Sequence, residues 1–291
     1  MPRSPGSCSS TSGACCTVVA ERASGTLPLA VQLYTFRDPD RYGGAGMGLD
    51  VPTLRAIADA GFLGVETVDV PGDDPAAARQ VLGDLDLAIA SSHTWTDPSD
   101  ADAFRRAADA LASLGSTRMI VSPRPDEIRD DLGGVIDRLA AAADVATERG
   151  LRLGIHTHDA EMAVVEGSRV IDRLTGGLGD AVDVQIDIFW AVVGGADPAE
   201  VIEALGQRVV SLHLKDGVDL PPSAFGDATF VNVPVGTGVI DPAPAIAAAE
   251  ASGSVEWLIV EFDHVAGSPI DATRASLDNL VTRGLGRTRA A

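Results

Sequence analysis

The ten residues RVVSLHLKDG, 208–217, decide how the rest of this chain reads. Val209, Val210, Leu212 and Leu214 suit a buried strand, yet the run delivers His213, Lys215 and Asp216 before Gly217 closes it. Three other apolar runs finish in the same way, at His156 and His158, at Asp187 and at Glu261. An ionisable group buried without a partner costs roughly several kcal/mol, so four such endings are not accidents of composition. They are what strands look like when they carry polar side chains to one end of a sheet.

Outward from this stretch, strands and helices alternate in both directions. Upstream lie the apolar runs PLAVQLY (28–34), FLGVETVDV (62–70), LAIASSHT (87–94), TRMIVSP (117–123), LRLGIHTHD (151–159) and AVDVQIDI (181–188). Between them stand segments of helical spacing at 49–61, 74–86, 100–115, 126–150, 160–174 and 197–206. Downstream come a loop at 217–240 containing PVGTG, a helix at 241–253, a strand at 254–264 and a closing helix at 271–286. The loop is long for a βα connection and is expected to fold over the site. Eight strands alternating with eight helices match a closed (β/α)8 barrel, a fold of about 250 residues. An open doubly wound sheet would need a glycine turn opening a helix after the first strand, where TFRDPDRYGGAG (35–46) stands instead.

With 291 residues, 45% of them hydrophobic, the chain can bury a full core. A formal net charge of −20 weighs against a nucleic-acid partner, which needs a basic footprint. Cys8, Cys15 and Cys16 all precede the fold and form no disulfide framework, which favours a reducing, cytoplasmic setting. No run approaches the roughly 18 apolar residues of a membrane span, and residues 1–27 lack the continuous apolar core of a signal peptide. That region is expected to be a disordered extension, or to follow a start codon placed too far upstream, leaving 28–291 as one barrel domain.

In a barrel, residues two apart on a strand share a side and active sites gather at the carboxyl ends of the strands. Closure would therefore bring His156, Asp187, His213 and Glu261 together. Two imidazoles and two carboxylates suit one divalent metal, manganese or zinc before cobalt, iron or magnesium. The plain structural alternative pairs these carboxylates with histidine and lysine and needs no metal. His158 reads as a substrate ligand or an outer donor, and Lys215 as a group that neutralises a developing enolate. Glu66 and His93 fall at the ends of the second and third strands, placed to meet sugar hydroxyls or relay protons, and Trp190 to stack on a sugar face. Arg37, Arg41 and Arg124 stand in loops, but nothing pairs them for a phosphate, so an unphosphorylated substrate is expected. Nucleotide-binding glycine loops, HExxH and a catalytic cysteine are all missing.

From about Leu29 to Leu285 the chain resembles the xylose isomerase-like TIM barrels known as sugar phosphate isomerases/epimerases. The segments that carry the resemblance are LAVQLYTFRD, GFLGVETV, LGIHTHDAEM, DIFWAVVGGADP, VVSLHLKDG, PVGTGVID and VEWLIVEFD. The resemblance implies one divalent metal held at the ends of strands five to eight. His156 stands where many members carry glutamate, as in a subgroup with a His-x-His motif on strand five, and Asp187, His213 and Glu261 fall on the remaining positions. It further implies an isomerase or epimerase that removes a proton next to a sugar carbonyl and passes through a metal-stabilised enediolate. Glu261 is then the base, with His158 or Glu66 as a second. Loss of a hydroxyl from the same intermediate would make the enzyme an inosose dehydratase-like lyase, and a non-catalytic sugar-binding barrel is the alternative outside catalysis. A small sugar or polyol is the expected partner, with no membrane and no nucleic acid, and a homodimer is the default assembly.

Overall fold

In the computed structural model, which describes residues 27–37, 48–223 and 230–289, eight parallel strands close on themselves. They are β1 (Leu29–Gln32), β2 (Gly64–Val68), β3 (Ala88–His93), β4 (Arg118–Val121), β5 (Arg152–His156), β6 (Val182–Asp187), β7 (Val209–Leu214) and β8 (Trp257–Val260). Each pairs with the next in sequence, and β8 pairs back to β1. The helices between them are α1 (Val51–Ala60), α2 (Pro75–Asp84), α3 (Ala101–Leu114), α4 (Pro125–Thr147), α5 (Val170–Leu178), α6 (Ile188–Val193), α7 (Pro198–Leu205), α8 (Ala243–Ser252) and α9 (Pro269–Thr282). This is the (β/α)8 TIM barrel that the sequence implied.

Strand alternation sorts the side chains into two environments. Leu29, Val31, Val65, Ile155, Val184, Leu212 and Val260 point outward and join the main core beneath the helices. Inside the barrel, Ala30, Ala90 and Ile259 form a small apolar plug with Trp257. One step further along the strands the interior turns polar, with Gln32, Glu66, Ser91, Gln185, Ser211 and His213 all buried. At the amino-terminal end, Arg118 donates to Asp183 at 2.8 Å and to Glu256 at 3.1 Å, and Arg152 also bonds Asp183. This ion network closes the bottom of the barrel and lies at the opposite end from the site.

Four local features depart from the periodicity. β1 ends at Gln32, and Leu33–Phe36 form a 3-10 turn whose Tyr34 N–H is capped by Gln32 Oε1 at 3.1 Å, so Gln32 and Tyr34 do not share a strand face. The single helix expected at 160–174 is instead a 3-10 turn (Ala160–Met162), a two-residue hairpin (Val164–Val165 with Ser168–Arg169) and then α5. Glu166 and Gly167 sit at φ 54° and 84°, the left-handed pair of a tight hairpin turn, and no helix passes through such a pair. In α4, Asp131 leaves helical geometry (φ −154°, ψ 70°) and its Oδ1 caps Gly134 N at 2.9 Å, restarting the helix. The fourth is α6, an extra helix directly after Asp187.

The 217–240 loop is tied to the strand ends by Asp216. Its Oδ1 accepts from Gly217 N and Ile240 N, both at 2.9 Å, and its Oδ2 from Gly236 N at 3.0 Å and Gly238 N at 2.7 Å. Gly238 is required by proximity, since a Cβ there would lie 2.1 Å from the Gly217 carbonyl oxygen. The same loop brings Phe230 against Trp190, ring centroids 5.2 Å apart. Residues 1–26, most of the expected amino-terminal extension, lie outside the described residues, as do 38–47 with Arg41, and 224–229. No helix among the described residues is long and apolar enough to cross a membrane.

Candidate active site

Register brings the site together. Asp187 on β6 lies beside His213 on β7, Ile259 on β8 beside His213, and His156 on β5 beside Gln185. The strand ends then place donor atoms of His156, Asp187, His213 and Glu261 within 4.8 Å of one another, all four side chains buried. A cation about 2.0–2.5 Å from each ligand needs donors no further apart than about 5 Å, so the cluster has the span of one coordination sphere.

Hydrogen bonding fixes how His156 presents itself. Glu66 needs donors, so the Gln185 amide turns its Nε2 toward Glu66 Oε2 (2.6 Å) and Ser211 Oγ (3.0 Å). Its Oε1 is left facing His156 Nδ1 at 2.8 Å. Nδ1 therefore carries the proton and Nε2 offers its lone pair toward the cluster, where Asp187 Oδ2 is 3.9 Å away. Burial, reinforced by the neighbouring His213 and His158, holds His156 well below the ordinary histidine range, in keeping with a neutral ligand.

His213 is held between two carboxylates, Glu261 Oε2 at 2.6 Å from Nδ1 and Glu66 Oε1 at 3.2 Å from Nε2. Burial would lower its pKa, but these two neighbours raise it to about 10. Lys215, 1% exposed, places Nζ 3.0 Å from Asp187 Oδ2, 2.8 Å from Glu261 Oε2 and 2.9 Å from Asp263 Oδ2. Burial raises Glu261, but Lys215 and His213 outweigh it and hold the carboxyl well below its usual range. For Asp187 burial wins over Lys215 and His213, and its pKa rises to about 6.

The donor set fits a divalent cation. Among the described residues, the buried Glu66, Asp187 and Glu261 and the partly buried Asp263 share two cationic partners, Lys215 and His213, so carboxyls outnumber cations at the cluster. Asp187 Oδ2 is buried and accepts no hydrogen bond of good geometry, although the Lys215 ammonium is close. His156 offers a neutral nitrogen as it stands, and His213 would join it on giving up the proton it shares with Glu261, so that two nitrogen and two oxygen donors would match a borderline metal.

Above the cluster opens a cavity of about 420 Å³, bounded by the ends of β2 to β8, α4 and the 217–240 loop. His93, His156, His158, Trp190, Lys215 and Glu261 line it. Glu66 does not. It lies inside the barrel, 0% exposed, and accepts from Gln32, from Ser91 Oγ at 2.6 Å, from Gln185 and from His213. Burial would raise its pKa, but His213 pulls it below the ordinary value. Of the residues singled out from sequence, Glu66 is thus placed behind His213, away from any substrate in the cavity. His93 stands between them, its Nδ1 3.8 Å from Glu66 Oε1 and its Nε2 3.1 Å from Ser122 Oγ.

The residues that sequence reasoning missed are Gln185, Asp263, Trp95 and Glu161. Gln185 was legible from its spacing two before Asp187, and Asp263 from its spacing two after Glu261. Nothing in TWTD marked Trp95. Glu161 is 1% exposed; its Oε2 accepts from His158 N at 2.7 Å, and its Oε1 is buried without a hydrogen bond. Burial pushes its pKa from the ordinary 4.5 to about 7. A raised folded-state pKa means that the native form keeps a proton the unfolded chain has already released. Its stabilisation is complete below the unfolded value and is lost as pH rises through the folded one, about 3 kcal/mol in all. Urea titrations at pH 5 and pH 8 are expected to show that loss in the wild type, reduced in Glu161→Gln. Parallel pH dependences in the two proteins would refute it.

Comparison with known proteins follows the same lines. A family model described as xylose isomerase-like TIM barrel matches residues 54–283. An inosose dehydratase of Geobacillus kaustophilus is 29% identical over 189 residues, 56% of this chain and 60% of that protein, so the match spans less than two thirds of its length. An inosose dehydratase of Geobacillus thermodenitrificans is 26% identical over 244 residues, 72% of this chain and 80% of that protein. Among solved structures, a sugar phosphate isomerase/epimerase from Parabacteroides distasonis aligns with a TM-score of 0.69 at 20% identity, covering 90% of this chain and 100% of that one, a likeness of fold.

Proposed function

The chain belongs to the xylose isomerase-like TIM barrel family, and from that premise we propose that it is a divalent-metal-dependent isomerase or epimerase of a sugar or polyol, acting through an enediolate. The observation that carries the reading is the buried cluster of His156, Asp187, His213 and Glu261, two of whose members, His156 and Glu261, line the cavity. We read His156-Thr157-His158 as the mark of a His-x-His subgroup in which imidazole replaces a carboxylate ligand. Manganese or zinc suits the mixed donor set best.

A divalent cation bound there supplies Lewis-acid neutralisation of negative charge on substrate oxygens. The chain's own groups divide the remaining work. Glu261 and His158 line the cavity from non-adjacent strands and are the two groups placed to take and return a proton beside a carbonyl. The Lys215 ammonium, also in the lining, faces charge that develops on oxygen. Glu66 acts through His213, fixing its ring, and Gln185 does the same for His156. Trp190 and His93 form walls against which a sugar ring is held.

A second reading is favoured by the curated relatives, both named inosose dehydratases. Proton removal is shared with the first reading; the difference is that a neighbouring hydroxyl then leaves as water with the proton that His158, kept neutral at the outset by burial, has taken from carbon.

The test is metal content of the purified protein together with solvent deuterium exchange into a panel of ketoses and inosose-like polyols. One metal per chain is expected, with exchange that stops on chelation and returns with Mn²⁺ or Zn²⁺. Product analysis then separates isomerised sugar from dehydrated polyol. Tight metal binding without exchange into any of them would leave a sugar-binding barrel, and a protein indifferent to divalent metal would return the cluster to ion pairing.

A further inference from the structure

Trp95 is 52% exposed, whereas Trp190 at the inner wall is 2% exposed. Leaving a large indole in water forfeits hydrophobic stabilisation, and nothing in the barrel requires it. Yet the segment that carries it is tightly held. Thr94 N donates to Ile120 O at 2.9 Å, Thr94 Oγ1 to Asp69 Oδ1 at 2.6 Å, and Thr96 N to Thr94 Oγ1 at 3.1 Å. The indole stacks on His93 with ring centroids 5.2 Å apart and planes 20° apart, and Tyr34 meets it at 5.8 Å. One face is fixed by His93, and the remaining exposed surface lines the cavity.

The cavity also extends well beyond the ligand cluster. Besides the polar groups of the cluster, its lining includes Trp95, Pro98, Pro123 and Leu139, of which Trp95, 52% exposed, marks the outer part. At about 420 Å³ it falls within the range of sites for drug-sized ligands, roughly 300–1,000 Å³, and has room for more than a single sugar ring. The outer part is not built for phosphate. Arg124 is paired with Asp126 at 2.7 Å, Arg138 with Glu127 at 3.2 Å, and Arg37 donates to the Asp263 carbonyl and packs over Tyr34 at 3.9 Å. Arg124 and Arg138 are thus balanced by carboxylates, and Arg37 spends its donors on backbone carbonyls, so no two guanidinium groups converge on one anion site.

We propose that Trp95 is the stacking platform of an outer subsite that takes the second, neutral ring of a glycoside, so that the preferred substrate is a two-ring sugar with its reacting ring at the metal cluster. This rests on the sugar-acting reading above and narrows its substrate class. The apolar face of a pyranose covers the indole, and its hydroxyls meet the Arg124–Asp126 and Arg138–Glu127 pairs.

Isothermal titration of the full chain with glucose, glucose 6-phosphate, cellobiose, maltose and trehalose tests the subsite by binding alone. At least one disaccharide is expected to bind about tenfold or more tightly than glucose, with no gain from the phosphate. In Trp95→Ala that ratio should fall to within about twofold, and Trp95→Phe should keep most of it. Equal binding of glucose and all three disaccharides, a ratio that survives in Trp95→Ala, or tightest binding of glucose 6-phosphate would each overturn the proposal. Because no turnover is measured, failure of solvent exchange would remove the proposed reaction while leaving this ratio standing.

Discussion

Asp187→Asn is expected to leave the barrel folded while lowering metal affinity and reducing kcat/KM by about 10³-fold, some 4 kcal/mol of transition-state stabilisation. The two oxygens of Asp187 have separate duties. Oδ1 caps α6, accepting from Phe189 N at 3.0 Å and Trp190 N at 3.1 Å. Oδ2 faces the cluster, 3.0 Å from Lys215 Nζ and 3.9 Å from His156 Nε2. Asparagine caps a helix as well as aspartate does, so the fold of α6 and the placement of Trp190 survive. What it removes is the charge, and with it one anionic ligand. Asp187→Ala should add a further loss of about 1 kcal/mol in stability through the missing cap. Metal analysis, thermal unfolding and kinetics on the panel sugar that exchanges with solvent separate the two duties. If the asparagine variant keeps its metal and its turnover, Asp187 is a helix cap and nothing more.

That double duty also shows what the sequence could reveal. The strand-end positions of His156, Asp187, His213 and Glu261 were legible because a period of two and a run of aliphatic residues fix both the strand and its direction. Closure of the barrel followed from counting the strands. The short α6 was not legible: Ile188 closes the strand pattern and nothing in FWAVV sets a period, and only the Asp187 cap turns the six apolar residues Ile188–Val193 into a helix. Glu66 was recognised as unusual but its depth was not, because register, not spacing, puts it behind His213 between Gln32 and Gln185. Trp95 carried no signal at all, since exposure of a ring inside a cavity depends on loops from three strands. Sequence pattern therefore reached the four clustered residues and, of the cavity lining, His93, His158, Trp190 and Lys215, and stopped short of Trp95 and Asp263.

Lys215→Met is expected to destabilise the metal-free protein by about 3–5 kcal/mol at pH 8, because the thioether fills the space of the lysine stem without its charge. Lys215 is the cation shared by Asp187, Glu261 and Asp263, and without it, among the described residues, Glu261 keeps its pair with His213 while Asp187 and Asp263 lose their ammonium partner. Asp187, already raised to about 6 by burial, then rises further. Its folded-state pKa stands above the unfolded one, so the variant loses stability as pH rises through that higher value and recovers it toward pH 5. The ammonium also occupies oxygens that a metal would use, Asp187 Oδ2 and Glu261 Oε2, so its loss frees donors for the cation. Mn²⁺ should therefore raise the thermal midpoint of Lys215→Met more than that of the wild type, while turnover stays low for want of the ammonium at the cavity wall. Differential scanning calorimetry at pH 5 and pH 8, with and without Mn²⁺, reads the stability changes, and solvent exchange on the panel sugar reads the turnover. An unchanged metal-free midpoint at pH 8 would mean that the carboxyls of the cluster are already protonated or solvated, and that Lys215 does not balance them.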